Sequence, residues 1–141
     1  MSLRYRSKAA LSDDFNGDAA GTVKSGTALV MRTVEPGTLS AYFDLSAYTN
    51  TMTISYYWEV SNDNSTWIRV YPFNNAATVV ATTGTGAAVL YDGVAGCPQE
   101  CYGWKYARAS CVNGVATGAN AADTCAITYR WLHRNPFERV T

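Results

Sequence analysis

Thr51-Met52-Thr53-Ile54-Ser55-Tyr56-Tyr57-Trp58-Glu59-Val60 is the stretch that decides the fold. Met52, Ile54, Tyr56, Trp58 and Val60 share one side of an extended chain. Thr51, Thr53, Ser55 and Glu59 share the other, and Tyr57 is the only large outlier. Successive side chains of a strand point to opposite faces, so this alternation predicts a half-buried antiparallel β-strand with the Met52–Val60 side in the core. Ser61-Asn62-Asp63-Asn64-Ser65 follows. Asn and Asp tolerate left-handed backbone and close turns with their own side chains. The extended pattern resumes from Trp67 to Tyr71 and stops at Pro72, so Thr51 to Tyr71 reads as a hairpin with a longer loop.

Further strand candidates lie on either side: Ala28 to Val34, Leu39 to Leu45, Ala76 to Thr82, Ala87 to Tyr91, Gly103 to Val112 and Asp123 to His133. Glu35-Pro36-Gly37 ends the first, and Gly84 with Gly86 supplies a turn before Ala87. No stretch carries an apolar stripe of helical period and length. About eight short strands separated by turn signals are the signature of a β-sandwich, jelly roll or barrel. The expectation is an all-β, jelly-roll-like single domain over residues 27–141, preceded by an extended N-terminal arm over residues 1–26. That arm places three cations (Arg4, Arg6, Lys8) before three acids (Asp13, Asp14, Asp18), with Leu3, Tyr5, Leu11 and Phe15 as apolar anchors. Two readings of it stay open: a frayed terminus, or a segment that orders against a partner through Leu3, Arg4, Tyr5 and Arg6.

Composition excludes several classes. Eleven Lys and Arg balance eleven Asp and Glu, which argues against a nucleic-acid partner or an anionic membrane held by bulk charge. No apolar run is long enough to span a bilayer, and the N-terminal residues lack a signal-peptide core. Charged residues are 16% of the chain, against about 25% in ordinary soluble domains, so either Thr, Ser, Asn and Gly supply its solubility or much of the surface is covered by other subunits.

The four cysteines are Cys97, Cys101, Cys111 and Cys125. Their spacing does not match zinc clusters, and His133 is the single histidine, so no metal and no other cofactor is expected. Cys111 and Cys125 fall on the expected core sides of the last two strands, where hairpin pairing of those strands would oppose them. Cys97 and Cys101 would then clip their own loop around Pro98. Two disulfides and four buried thiols both remain open.

Catalytic sets are not evident. His133 has no Ser or Cys nucleophile motif beside it, and Asp13-Asp14 has no pocket to raise a pKa. Thr83-Gly84-Thr85-Gly86 fails the spacing of a phosphate loop, and Asn62-Asp63-Asn64 lacks the Gly and distal Glu of a calcium loop. The expectation is not an enzyme. Trp104, Tyr106 and Arg108 alternate against Lys105, Ala107, Ala109 and Cys111. Burying an unpaired Arg is costly, so the alanine side is assigned to the core and the Trp-Tyr-Arg stripe to the surface, as an interface or a sugar-stacking platform.

The string Ile54 to Trp67, with its Val60-Ser61-x-Asp63-x-x-x-Trp67 hairpin turn, followed by Trp104-Lys105-Tyr106-Ala107-Arg108, resembles small virion proteins of tailed bacteriophages. These include jelly-roll decoration (cement) proteins, which sit as trimers on the outer capsid surface. The resemblance spans about Thr51 to Trp131, and the Cys97-Pro98-Gln99-Glu100-Cys101 loop departs from it. It implies a homotrimer assembled in the host cytoplasm and located on the virion, with the major capsid protein as partner. A carbohydrate-binding β-sandwich of a phage tail or adhesion apparatus is the alternative.

Overall fold

The structure is a computed structural model that describes residues 4–14, 18–19, 21–48, 52–70, 78–82, 89–113 and 122–134. Within those stretches, the side chains of 44–48, 52–56, 78–82, 89–95, 113 and 122–124 are outside the description. The strands are β1 (Arg4–Asp13), β2 (Val23–Ser25), β3 (Leu29–Val30), β4 (Ser40–Tyr48), β5 (Met52–Ser61), β6 (Ile68–Val70), β7 (Thr78–Thr82), β8 (Val89–Gly96), β9 (Tyr106–Asn113) and β10 (Ala122–His133). The fold is all-β.

One sheet runs β1-β10-β4-β8. The other has β9 and β5 at its centre, β2 and β3 along the free side of β9, and β6 and β7 along the far side of β5. All pairings are antiparallel. β2 and β3 are successive pieces of one interrupted strand, as are β6 and β7. With each counted once, the sheets follow the order first-eighth-third-sixth and second-seventh-fourth-fifth, which is the order of a jelly roll.

The hairpin between β5 and β6 forms where Asn and Asp were dense. The Asp63 carboxylate accepts the N–H groups of Ser65 (2.9 Å) and Thr66 (2.7 Å) and the hydroxyl of Ser61 (2.9 Å). Asn64 takes the left-handed backbone the turn needs, at φ 58°. The N–H of Thr66, then that of Ser65, hold the Asp63 carboxyl well below the ordinary carboxylate range.

The core lies between the sheets. Ala107, Ala109 and Cys111 of β9 are fully buried, as are Cys125, Ile127 and Tyr129 of β10. Small side chains on one wall leave room for large ones on the other. Trp58 and Val60 of β5 are buried as their phase predicts, and the Trp58 ring stacks on Tyr129 at 6.0 Å between centroids. Met52, Ile54 and Tyr56 have their side chains outside the described residues.

Several expectations are corrected. Residues 1–26 are not simply an arm: Arg4–Asp13 is an edge strand paired with β10 along its length, and Val23–Ser25 pairs with β9. Leu3 and Phe15 lie outside the described residues. A bulge between Ala9 and Leu11 shifts the register of β1 and breaks its alternation. Arg4, Arg6 and Lys8 sit opposite His133, Trp131 and Tyr129, so they share the core-facing side of the sheet, yet all three are exposed. Cations on the inner side of an edge strand, together with a bulge, discourage strand addition at that edge. Lys24 ties the acidic end of this segment down, 3.2 Å from both Asp13 and Asp18.

β9 and β10 do not form a hairpin, because they belong to opposite sheets. Ala28–Val34 is not one strand; Leu29–Val30 is followed by a 3-10 turn at Met31–Thr33. Tyr57 and Glu59, expected on a solvent side, are also buried, so this part of β5 is covered on both faces.

Candidate docking cleft

A 3-10 turn at Gln99–Gly103 leads into β9, closed by the Trp104 N–H donating to the Cys101 carbonyl at 3.2 Å. The Lys105 carbonyl accepts the Met31 N–H at 2.9 Å, and the Lys105 N–H donates to Asn62 Oδ1 at 3.3 Å. Val30 lies opposite Tyr106 in the β3–β9 ladder. These bonds bring two distant segments together around an open cleft of about 450 Å³ lined by Val30, Arg32, Tyr102, Gly103, Trp104, Lys105 and Tyr106. The Tyr102 hydroxyl accepts the Leu39 N–H at 3.1 Å, which fixes its ring, and burial pushes its phenol pKa up. Among the described residues, the lining carries three aromatic side chains and two cations and no acid. Such a surface favours a flat or apolar group next to an anionic one.

The expected Trp104-Tyr106-Arg108 stripe is divided. Trp104 precedes the strand and packs partly on the core. Lys105, expected on the core side with the alanines, is exposed. Trp104 and Tyr106 line the cleft, whereas Arg108 is held within the chain. Its guanidinium donates to Glu59 Oε2 at 3.3 Å and lies 4.1 Å from the Trp67 ring centroid. Ser110 donates to Glu59 Oε1 at 2.8 Å. Arg69, opposite Glu59 on β6, stacks on Tyr57 at 3.6 Å. Glu59 thus sits between two arginines, each covering an aromatic ring, which explains how a carboxylate is buried on the outer face.

On the outer face of the other sheet, Arg130 lies 4.6 Å from the Tyr5 ring. Both line a shallow depression of about 190 Å³ with Thr38, Ser40 and Tyr42. Tyr5, an expected interface residue, is exposed there. Arg4 and Arg6 lie on the opposite side of the same strand, so the three described N-terminal contacts, Arg4, Tyr5 and Arg6, do not make one patch.

Cys111 and Cys125 meet across the sandwich with their sulfurs 3.3 Å apart. Cys97, whose N–H donates to the Leu39 carbonyl at 2.9 Å, has its thiol pKa pushed up by burial and by a hydrogen bond with Cys101. His133 ends β10, in a bridge with Val34. Among the described residues, no group of three or more His, Cys, Asp and Glu is placed to hold a metal ion.

Arg32 and Tyr102 were not singled out from the sequence. Arg32 is brought there by β3 pairing with β9, whose partners are 76 and 78 residues apart, and Tyr102 is fixed by the Leu39 N–H, contacts that no local pattern encodes.

Fold and site together define a jelly-roll β-sandwich with an aromatic and cationic cleft at one end of a sheet. Compared with known proteins, the chain matches no protein-family model and no curated sequence.

Proposed function

We propose that the chain is a structural virion protein: a capsid decoration protein that self-associates as a trimer and seats on the major capsid protein at the outer surface of a phage capsid. The observation that carries this reading is the cleft, in which Trp104, Tyr106 and Tyr102 stand beside Arg32 and Lys105 on a rigid sandwich. Aromatic and arginine side chains anchored in partly enclosed sites dominate the energetics of protein interfaces. The low charge content and the resemblance of the Ile54–Trp67 hairpin to virion proteins support it further. Its mechanism is surface burial across subunit seams, with the cleft receiving an acidic, apolar segment of the neighbour.

A carbohydrate-binding role is the second reading, favoured by the Tyr5, Tyr42 and Arg130 depression with its Thr38 and Ser40 hydroxyls. Sedimentation together with a glycan-binding screen separates the two. A self-associated species that retains no glycan supports decoration, and a monomer that retains a glycan supports the alternative.

A further inference from the structure

The structure assigns Cys111 and Cys125 as a disulfide-forming pair that joins the two sheets of the sandwich covalently. Their sulfurs are 3.3 Å apart, and both residues are fully buried, one on β9 and the other on β10. No hydrogen-bonded ladder connects these strands, because they lie in different sheets. The bridge would therefore be a covalent link between sheets that are also joined by packing, by the Ala109 N–H to the Tyr129 hydroxyl, by the Thr27 N–H to the Ala10 carbonyl and by the Lys24–Asp13 ion pair.

The chemistry is thiol–disulfide exchange with a glutathione-type disulfide. One cysteine thiolate attacks the oxidised glutathione and releases one reduced glutathione. The second thiolate attacks the mixed disulfide, forms the Cys111–Cys125 bond and releases the other. Two protein thiols are oxidised, one glutathione disulfide is reduced, and the two thiol protons end on the two glutathione molecules. In the folded protein the hydrogen bond with Cys125, followed by burial, raises the Cys111 thiol pKa well above its ordinary value, and neither sulfur is open to solvent. Exchange therefore takes place while the chain is still open, and closure of the core then shields the bond from reductants.

The sequence makes the test clean. Trypsin leaves Cys111 and Cys125 together in residues 109–130, and Cys97 and Cys101 together in residues 70–105. Full-length protein is refolded from denaturant in a glutathione redox buffer and, in parallel, in dithiothreitol, then digested without reduction and weighed. The inference expects fragment 109–130 to be lighter by two hydrogens and not joined to 70–105. It also expects a melting temperature about 10 °C above that of the reduced protein, the effect of closing a loop of this length. Two free thiols in fragment 109–130, or a bond joining it to 70–105, overturns it. A Cys97→Ala, Cys101→Ala variant should keep the redox-dependent difference in melting, and a Cys111→Ala, Cys125→Ala variant should lose it. If the latter fails to fold, the former decides alone: the inference stands if the difference persists and falls if it vanishes.

Discussion

The hydroxyl of Tyr129 on β10 accepts the N–H of Ala109 on β9 at 3.0 Å, reaching from one sheet to the backbone of the other. The same hydroxyl donates to the Thr27 carbonyl at 2.9 Å, in the gap between β2 and β3. It thus satisfies backbone groups that the interrupted strand leaves without ladder partners. Gly26 is needed there for lack of space. A Cβ on it would sit 2.5 Å from the Tyr129 hydroxyl and 3.1 Å from the Ala109 carbonyl oxygen.

Tyr129→Phe should therefore destabilise the fold by about 1–3 kcal/mol, because buried backbone groups lose their partner. Gly26→Ala should cost a similar amount, about 1–3 kcal/mol, by overpacking. The double variant should lose less than the two separate costs added, since removing the hydroxyl also removes the closest clash. Urea unfolding of the four proteins measures this coupling, and strict additivity would contradict the contact.

Burial raises the Tyr129 phenol pKa well above its ordinary value and also raises those of Tyr57 and Tyr102. The unfolded chain loses these protons near pH 10, before the folded chain does. Stability should therefore be full below about pH 10 and fall as pH rises through the folded-state values. Urea midpoints measured from pH 8 to 11.5 should show this decline, with a shallower slope in Tyr129→Phe. The acid side has the opposite sign. Hydrogen bonds from Asp14 and from Thr66 lower the Asp13 and Asp63 pKa values respectively, so their contribution is present above about pH 4 and is lost below it.

Arg108→Ala should act on folding rather than on assembly. It leaves the nearly buried Glu59 carboxylate without its guanidinium and uncovers Trp67, at a cost of about 1–3 kcal/mol. Thermal unfolding checks the loss. An unchanged melting temperature with weakened self-association would return Arg108 to the interface.

Deleting residues 2–15 should lower the melting temperature sharply or prevent folding, because it strips β1 from the edge of β10 and removes the buried Ala10. Circular dichroism melting of the truncated chain tests this. An unchanged melting curve would restore the reading of this segment as a dispensable arm.

The contrast between β5 and β1 shows what the sequence could reveal. In β5 the apolar alternation puts Trp58 and Val60 in the core, where they lie. The burial of Tyr57 and Glu59 was not legible, since it arises from Arg69, Arg108 and Ser110 on neighbouring strands. In β1 the inner positions Arg4, Arg6 and Lys8 are cationic and exposed, and the bulge at Ala10 then shifts the phase. The alternation of a strand was present in residues 4–8, carried by charge rather than by apolarity. Cys111 and Cys125, expected to face each other within a hairpin, instead meet across the sandwich. A jelly roll sends most consecutive strands to opposite sheets, the β5–β6 hairpin excepted, so nearness in sequence does not by itself imply pairing. The cleft was half legible: Trp104 and Tyr106 stood out, and the β3–β9 pairing that adds Arg32 did not.

Sedimentation equilibrium of the full chain at micromolar concentration tests self-association through the cleft. The full chain should sediment as a species of three times the 15.3 kDa chain mass. Trp104→Ala should dissociate this species while remaining folded, since loss of a hot-spot side chain costs about 2 kcal/mol or more of association energy. A wild-type chain that sediments only at 15.3 kDa, or a Trp104→Ala variant that associates as tightly as wild type, would contradict self-association through the cleft.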